Sequence, residues 1–169
     1  SSFIKKDINI NMQKNINDIW LQPNIVEHSE RVVKSYATIT GCNLFDLGYS
    51  REYLSYLLYH APYVVVSHGI EEDPIFNYAN LTAQQLWQLD WEQFTQLPSR
   101  ATAEPERAED RQQLLDAATV NGYIDNYEGI RISANQKRFK IQKVLLWNLP
   151  NEKNEKIGQA ALFRNWTNI

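Results

Sequence analysis

The sequence predicts an α+β fold, a five-stranded antiparallel sheet with helices on one face, preceded by two N-terminal helices. Two short runs rich in β-branched and aromatic residues, 64–66 and 75–78, flank an acidic turn, which is typical of two adjoining strands. Capped helical segments fill residues 80–120, and three extended segments fill residues 123–166. This order of elements indicates helices over one side of a single sheet.

The N-terminal part is predicted to be an arm followed by a helical extension. Residues 1–22 show no clear periodicity, so we expect an arm there. Asn24 begins the first helix in a capping-box pattern, and Gly41 ends it. Ser50 caps a second helix, which completes a helical extension over residues 23–61.

Residues 62–169 form the predicted core of what is a single domain overall, and capping signals mark its helices. Asn80 caps a helix after the second strand, and Asp90 with Gln93 forms a capping-box pair for the next helix. Pro105 stands in the first turn of a longer helix, where proline is tolerated. The pattern therefore predicts three helices between the second and third strands.

The first strand is predicted over residues 63–67. The three later strands are expected over residues 123–133, 138–149 and 156–166. In the strand over 138–149 we expect four apolar side chains on the helix-facing side: Phe139, Ile141, Leu145 and Trp147. The residues expected on the opposite face are also apolar: Val144, Leu146, Leu162 and Trp166.

An antiparallel sheet with one solvated face carries polar residues on that face, and this sheet does not. We therefore predict that the chain forms a homodimer. The N-terminal helices and the outer sheet face are expected to build the contact.

Composition excludes several classes of function. The net charge of -3 and the scattered arginines argue against nucleic-acid binding, which needs a basic surface. A single cysteine favours a reducing compartment, and we expect a cytoplasmic protein. No apolar run approaches the ~20 residues of a membrane helix.

Several short motifs resemble the MEKHLA domain family, in its stand-alone bacterial form. They cover about residues 25–166. The matching motifs are Ser67-His68-Gly69, Asp73-Pro74-Ile75, Asn77-Tyr78-Ala79-Asn80, Leu86-Trp87, Pro98-Ser99-Arg100, Thr102-Ala103-Glu104-Pro105, Gly129-Ile130-Arg131-Ile132-Ser133, VLLWNL at 144–149 and Gly158-Gln159-Ala160-Ala161. The resemblance implies a PAS-like fold, in which the first strand, residues 63–67, lies in the centre of the sheet between the second strand and the last. It also implies a sensory or regulatory role, with no known reaction.

The same resemblance bears on cofactors. PAS-type photoreceptors react with their pigment through a cysteine inside the core, whereas Cys42 precedes the core. Haem-binding PAS domains commonly use a histidine near the long helix, and residues 105–123 contain none. His28, His60 and His68 lack metal-ligand spacing. We therefore expect no covalent flavin, haem or metal, and the identity of any noncovalent cofactor stays open.

Five side chains are candidates for binding a small molecule between the helices and the inner sheet face: His68, Asp73, Trp87, Arg100 and Glu104. Each also has a plainer interpretation. The histidine can bond to a nearby carbonyl or carboxylate, and the tryptophan can be core. The arginine can either hold a carboxylate ligand or pair with Asp73 or Glu104.

The leading hypothesis is a PAS-like sensory or regulatory module that binds a small molecule or a protein partner and catalyses nothing. One alternative is a small α+β enzyme that uses His68 or Asp73 as acid or base in the same pocket. The other is a structural dimerisation unit whose interior is filled.

Overall fold

The structure of the protein is a computed structural model that describes residues 18–104 and 108–169, and in the helix that begins at Ala108 it leaves the side chains of 108–112, 115 and 119 undescribed. Most of the predicted arm and Pro105 therefore lie outside the described residues. The chain divides into two compact units, Ser1–His60 and Ala61–Ile169.

The first unit contains two helices, α1 (Pro23–Thr40) and α2 (Arg51–Tyr59), after a short 3-10 turn at Ile19–Leu21. The prediction that Asn24 caps α1 is wrong. Pro23 takes the first helical position, where its fixed φ and missing N–H suit a helix start, so the cap falls on Gln22. The helix ends as predicted, because Gly41 adopts a left-handed conformation with φ 74°.

A hydrogen-bonded chain of polar groups ties this unit together. The hydroxyls of Ser29 and Ser55 lie 3.2 Å apart in a buried position between α1 and α2. The Ser55 hydroxyl also donates to the Trp20 carbonyl at 2.7 Å. The predicted cap on α2 is confirmed, since the Ser50 hydroxyl accepts from the Tyr53 N–H at 3.2 Å.

The second unit is a six-stranded antiparallel sheet with helices on one face. Five strands run in the order β2-β1-β5-β4-β3, and β6 pairs with β4 beyond the end of β5. The predicted central position of the first strand, between the second strand and β5, is confirmed. The strands are β1 (Val64–His68), β2 (Phe76–Ala79), β3 (Tyr123–Ile132), β4 (Arg138–Pro150), β5 (Lys156–Phe163) and β6 (Asn165–Asn168).

The strand count differs from the predicted five because the last strand is broken at Arg164. Its two halves keep one register against β4, since Leu162 pairs with Leu145 and Trp166 pairs with Ile141. The same register places Arg164 opposite Lys143, a residue with a φ of 52°. The interruption therefore lies beside a bulge in the neighbouring strand.

The Lys143 bulge changes which side chains of β4 face the helices. Pairing with β3 passes from Tyr127–Val144 to Gly129–Ile141, so three steps along β4 match two along β3. One residue is thereby added to β4, and the alternation of its side chains changes phase.

The predicted faces of β4 are therefore half wrong. Phe139 and Ile141 face the helices as expected, but beyond the bulge it is Val144 and Leu146 that join this core. Leu145 and Trp147 alternate with them and point to the other face. Trp166, which was expected on the outer face, also packs against the helix-side core.

Helices between β2 and β3 cover one face of the sheet: α3 (Leu81–Trp87), α4 (Trp91–Phe94), a 3-10 turn (Ser99–Thr102) and α5 (Ala108–Asn121). The predicted caps at Asn80 and at Asp90 with Gln93 are confirmed. Asn80 is buried, and its side-chain oxygen accepts from the N–H groups of Val65 and Ala83. Its amide donates to the Tyr63 carbonyl at 2.8 Å, so one side chain joins β1 to the start of α3.

The hydrophobic core lies between these helices and the sheet. Large aromatic rings at its centre meet edge to face, as such rings prefer. Its buried members are Val64, Val66, Phe76, Ala79, Ala83, Trp87, Phe94, Tyr127, Phe139, Ile141, Val144 and Phe163.

Candidate functional site

Two of the predicted ligand-binding residues pair with each other at the protein surface. The Arg100 guanidinium donates through Nε to both carboxylate oxygens of Asp73, at 3.0 Å each. Both side chains are exposed, at 75% and 49%. The arrangement matches the ion pair that the sequence offered as the alternative to a ligand site.

Glu104 is likewise engaged, because Arg138 forms an ion pair with its carboxylate. The hydrogen bond from Arg138 and the negative charge of Glu104 together raise the pKa of the arginine. Both predicted acidic candidates therefore have basic partners before any ligand is considered.

The segment around Arg100 is a strap that is tied to both edge strands. At the β2 side, Leu97 accepts from the Phe76 N–H and Ser99 donates to the Pro74 carbonyl. At the β3 side, the Glu104 N–H donates to the Ile130 carbonyl. The two ion pairs lie on the same strap, which is consistent with a structural role for both.

Trp87 lies inside the core rather than at a surface. Its ring contacts Phe94, Phe139 and Phe163 at centroid distances of 5.6, 5.2 and 6.1 Å. It is 2% exposed, and its indole N–H finds no hydrogen-bond partner among the described residues. The residue thus packs as core while leaving one buried donor unmatched.

His68 ends β1 on the helix-facing side and is half-buried. Its Nδ1 lies 2.8 Å from the Gly69 carbonyl oxygen. The next turn is closed by Glu71, whose carboxylate accepts from the Ile75 N–H at 3.2 Å. Backbone hydrogen bonds to this carboxylate, assisted by His68, lower the pKa of Glu71. Within the described part of the chain, no hydrogen bond, ion pair or ring contact joins His68, Trp87 and Arg100 to one another.

The strand register places two further polar residues beside His68. His68 pairs with Gln159 on β5, and Gln159 pairs with Asn148 on β4. All three share the helix-facing side, because they are two residues from Val66, Ala161 and Leu146, which pack in the core. We call His68, Gln159 and Asn148 the polar row.

The polar row is short of hydrogen-bond partners within the described part of the chain. Among those residues, none donates to the buried side-chain oxygen of Asn148. Among the described residues no side-chain partner is found for Gln159, and His68 makes only the bond to Gly69. Buried polar groups are nearly always paired in folded proteins, so an unmatched acceptor at this position is unusual.

The sheet is also incompletely covered at this end. Ala161 lies on the central strand β5, between Val66 and Leu146 in the row beside the polar row. It is nevertheless only half-buried, whereas Val64 and Phe163 in the following row are buried. A half-buried methyl group on the inner sheet face is a suitable floor for a bound molecule.

Sequence reasoning missed Gln159 and Asn148. The available signal was one polar residue in each of two apolar strands, VLLWNLP and IGQAALF. It was not decisive, because the phase predicted for β4 put Asn148 on the outer face, and the Lys143 bulge reverses that phase.

Neither a metal site nor a membrane-spanning helix is found in the part of the chain that the structure describes. No group of three or more histidine, cysteine, aspartate or glutamate side chains there could hold a metal ion. Over the same residues, no helix has the length and apolar character needed to cross a membrane.

Comparison with known families and structures agrees with this architecture. The model of the MEKHLA domain matches residues 26–168. No curated protein matches the chain.

Solved structures with a similar fold are PAS and light-oxygen-voltage domains. A PAS domain of a Colwellia psychrerythraea protein gives a TM-score of 0.56 at 14% identity, over 68% of this chain and 92% of that one. An RNA-binding light-oxygen-voltage receptor gives 0.60 at 13% identity, over 75% of this chain and 35% of that one. A PAS domain of a two-component sensor histidine kinase gives 0.51 at 12% identity, over 68% and 91%. At these identities the likeness shows the fold alone, which is PAS-like.

Proposed function

We propose, from the premise that this chain belongs to the MEKHLA domain family, that it is a sensory or regulatory module whose signal is a small molecule. The ligand is proposed to lie between the inner sheet face and the helices, and the module is proposed to catalyse no reaction. The general assignment as a sensory module follows from the family and from its PAS-like fold.

The observation that carries the small-molecule proposal is the polar row beside the half-buried Ala161. Leaving the Asn148 oxygen unmatched costs about 1–3 kcal/mol, an energy that a bound donor would recover. A site with an apolar floor and a few convergent polar groups is typical of small-molecule pockets.

The candidate residues of the sequence divide among three roles in this proposal. His68 lines the site directly, and Trp87 supports it from the core. Asp73, Arg100 and Glu104 hold the strap in place through their ion pairs. An acid–base role for Asp73 receives little support, since its carboxylate is already bound by Arg100.

The proposal extends to assembly and location. We propose that the module acts as a homodimer, as the apolar residues on both sheet faces first suggested. A cytoplasmic location is proposed because the single cysteine, Cys42, is exposed and free, which suits a reducing compartment.

Native mass spectrometry of freshly purified protein tests the small-molecule proposal. We expect a bound mass on the wild type that is lost on denaturation. The Asn148→Leu variant should lose it, whereas Asn165→Leu should retain it, because Asn165 is an exposed asparagine of β6 outside the polar row.

Thermal denaturation with a library of metabolites completes the test. If the wild type carries no bound mass and no metabolite raises its unfolding temperature, the small-molecule proposal fails. A bound mass that survives Asn148→Leu would place the ligand elsewhere in the protein.

A further inference from the structure

The hydrogen-bonding groups of the polar row restrict the chemistry of the molecule that can bind there. We infer that the ligand is uncharged and donates hydrogen bonds to His68 Nε2 and to Asn148 Oδ1. This inference rests on the proposed function and adds the ligand class to it.

His68 lies at one end of the row and offers an acceptor. Its Nδ1 lies 2.8 Å from the Gly69 carbonyl oxygen, which can only accept a hydrogen bond. Nδ1 must therefore carry the proton, and in the neutral ring Nε2 is then an acceptor. None of the described residues donates to Nε2, so it is available to a ligand donor.

Asn148 lies at the other end of the row and offers a second acceptor. The Asn148 oxygen is a buried acceptor to which no described residue donates, although the backbone N–H of the same residue is bonded to the Gly122 carbonyl at 2.9 Å. Gln159 lies between the two ends and offers both a donor and an acceptor. Two acceptors at the ends of a row require a ligand with N–H or O–H groups.

The groups of the polar row match a charged ligand poorly. A carboxylate or phosphate ligand would meet two acceptors, His68 Nε2 and Asn148 Oδ1, and its only donors in the row would be the neutral side-chain amides of Asn148 and Gln159. The row contains no arginine or lysine, and Arg100 and Arg138 are engaged by Asp73 and Glu104. A cationic ligand would lose hydration without gaining a carboxylate in the row, which is also unfavourable.

The length of the polar row restricts the size of the ligand. Neighbouring strands lie about 4.8 Å apart, so the row across β1, β5 and β4 spans roughly 10 Å. The adjacent floor of Val66, Ala161 and Leu146 is apolar. The ligand class is therefore a small uncharged molecule with an apolar body and amide or hydroxyl donors at its edge.

Paired fragments that differ only in this chemistry provide the test. Nicotinamide and benzamide are uncharged donors, and nicotinate and benzoate are their anionic counterparts without donors. Each is titrated into the ¹⁵N-labelled intact chain, and the side-chain amide signals of Asn148 and Gln159 are followed by NMR. The amides should shift these signals with dissociation constants at least about tenfold lower than those of the acids.

Three variants control the titration. Asn148→Leu should weaken amide binding by about tenfold or more, while the matched variant Asn165→Leu should leave it unchanged. Ala161→Leu fills the floor and should also weaken binding, which keeps the test decisive if Asn148→Leu fails to fold.

The inference is overturned if the acids bind the row as tightly as the amides, or if neither class shifts the signals of the row. If an acid shifts the Arg100 Nε signal while the side-chain amide signals of Asn148 and Gln159 do not move, the inference is overturned and the proposed function stands. Absence of any bound mass in the native protein, together with silence toward both fragment classes, would overturn both.

Discussion

His28 is an ionisable side chain that the fold keeps neutral. Burial lowers its pKa from the ordinary 6.5 to about 4, and the positive charge of Arg31 contributes in the same direction. A histidine in the unfolded chain binds a proton near pH 6.5, whereas the folded one does so only near pH 4. Protonation in this interval therefore favours the unfolded chain.

The free energy of unfolding is accordingly expected to fall as the pH drops from about 6.5 to 4, by up to about 3 kcal/mol. Urea denaturation at a series of pH values measures this change. In the variant His28→Gln the acid-induced loss should be smaller, and in His60→Gln, whose histidine is exposed, it should persist. An unchanged pH dependence in His28→Gln would show that other groups cause it.

At the scale of the element, the bulge in β4 decides which side chains form the core. Lys143 holds a left-handed backbone conformation, which costs a residue with a side chain roughly 1–2 kcal/mol but costs glycine little. The Tyr127–Val144 and Gly129–Ile141 pairs on either side of the bulge keep the strand in the sheet, so the strain is tolerated.

Replacing this lysine with glycine should therefore stabilise the protein. We expect Lys143→Gly to raise the free energy of unfolding by about 0.5–1 kcal/mol, as relief of strain exceeds the entropy lost by glycine. Lys156→Gly, at an exposed position of β5 without a left-handed backbone conformation, should lower it by about 0.5–1 kcal/mol. Equal effects of the two substitutions in urea titrations would mean that the bulge carries no strain.

At the scale of the whole molecule, the homodimer stays a prediction. Of the residues first thought to need cover, Val144, Leu146 and Trp166 belong to the helix-side core. Leu162 remains on the other face, in the same row as Val65 and Leu145. The outer face is thus still apolar, although its members differ from those expected, and Val65 and Leu162 on it are already buried within a single chain.

Sedimentation equilibrium of the intact chain should give twice the mass of one chain, because a closed two-fold dimer is the commonest arrangement for such an interface. A truncated chain that begins at Ala61 should be monomeric if the N-terminal helices build the contact. A monomeric intact chain would contradict the dimer, and a folded dimeric truncation would exclude the helices from the contact.

The sequence by itself determined the order of the elements, because caps and β-branched runs act through neighbouring residues. The caps at Ser50, Asn80 and Asp90 are examples, since each side chain bonds to a backbone N–H three positions along the chain. The central place of β1 was predicted from the resemblance of its motifs to a family with a PAS-like fold. The sequence offers Arg100 two acidic partners, Asp73 and Glu104, but does not decide between them. Glu104 lies on the same strap and Asp73 lies beside the segment to which the strap is anchored, so both are within reach.

Only the tertiary structure decided which faces and which partners result. The phase of β4 depends on one backbone angle at Lys143, and alternation read along the sequence cannot detect an added residue. The polar row depends on register between strands that are distant in sequence, so His68 meets Gln159 only after β1 and β5 pair. Pairings of this kind are set by long-range packing, which local sequence patterns do not encode.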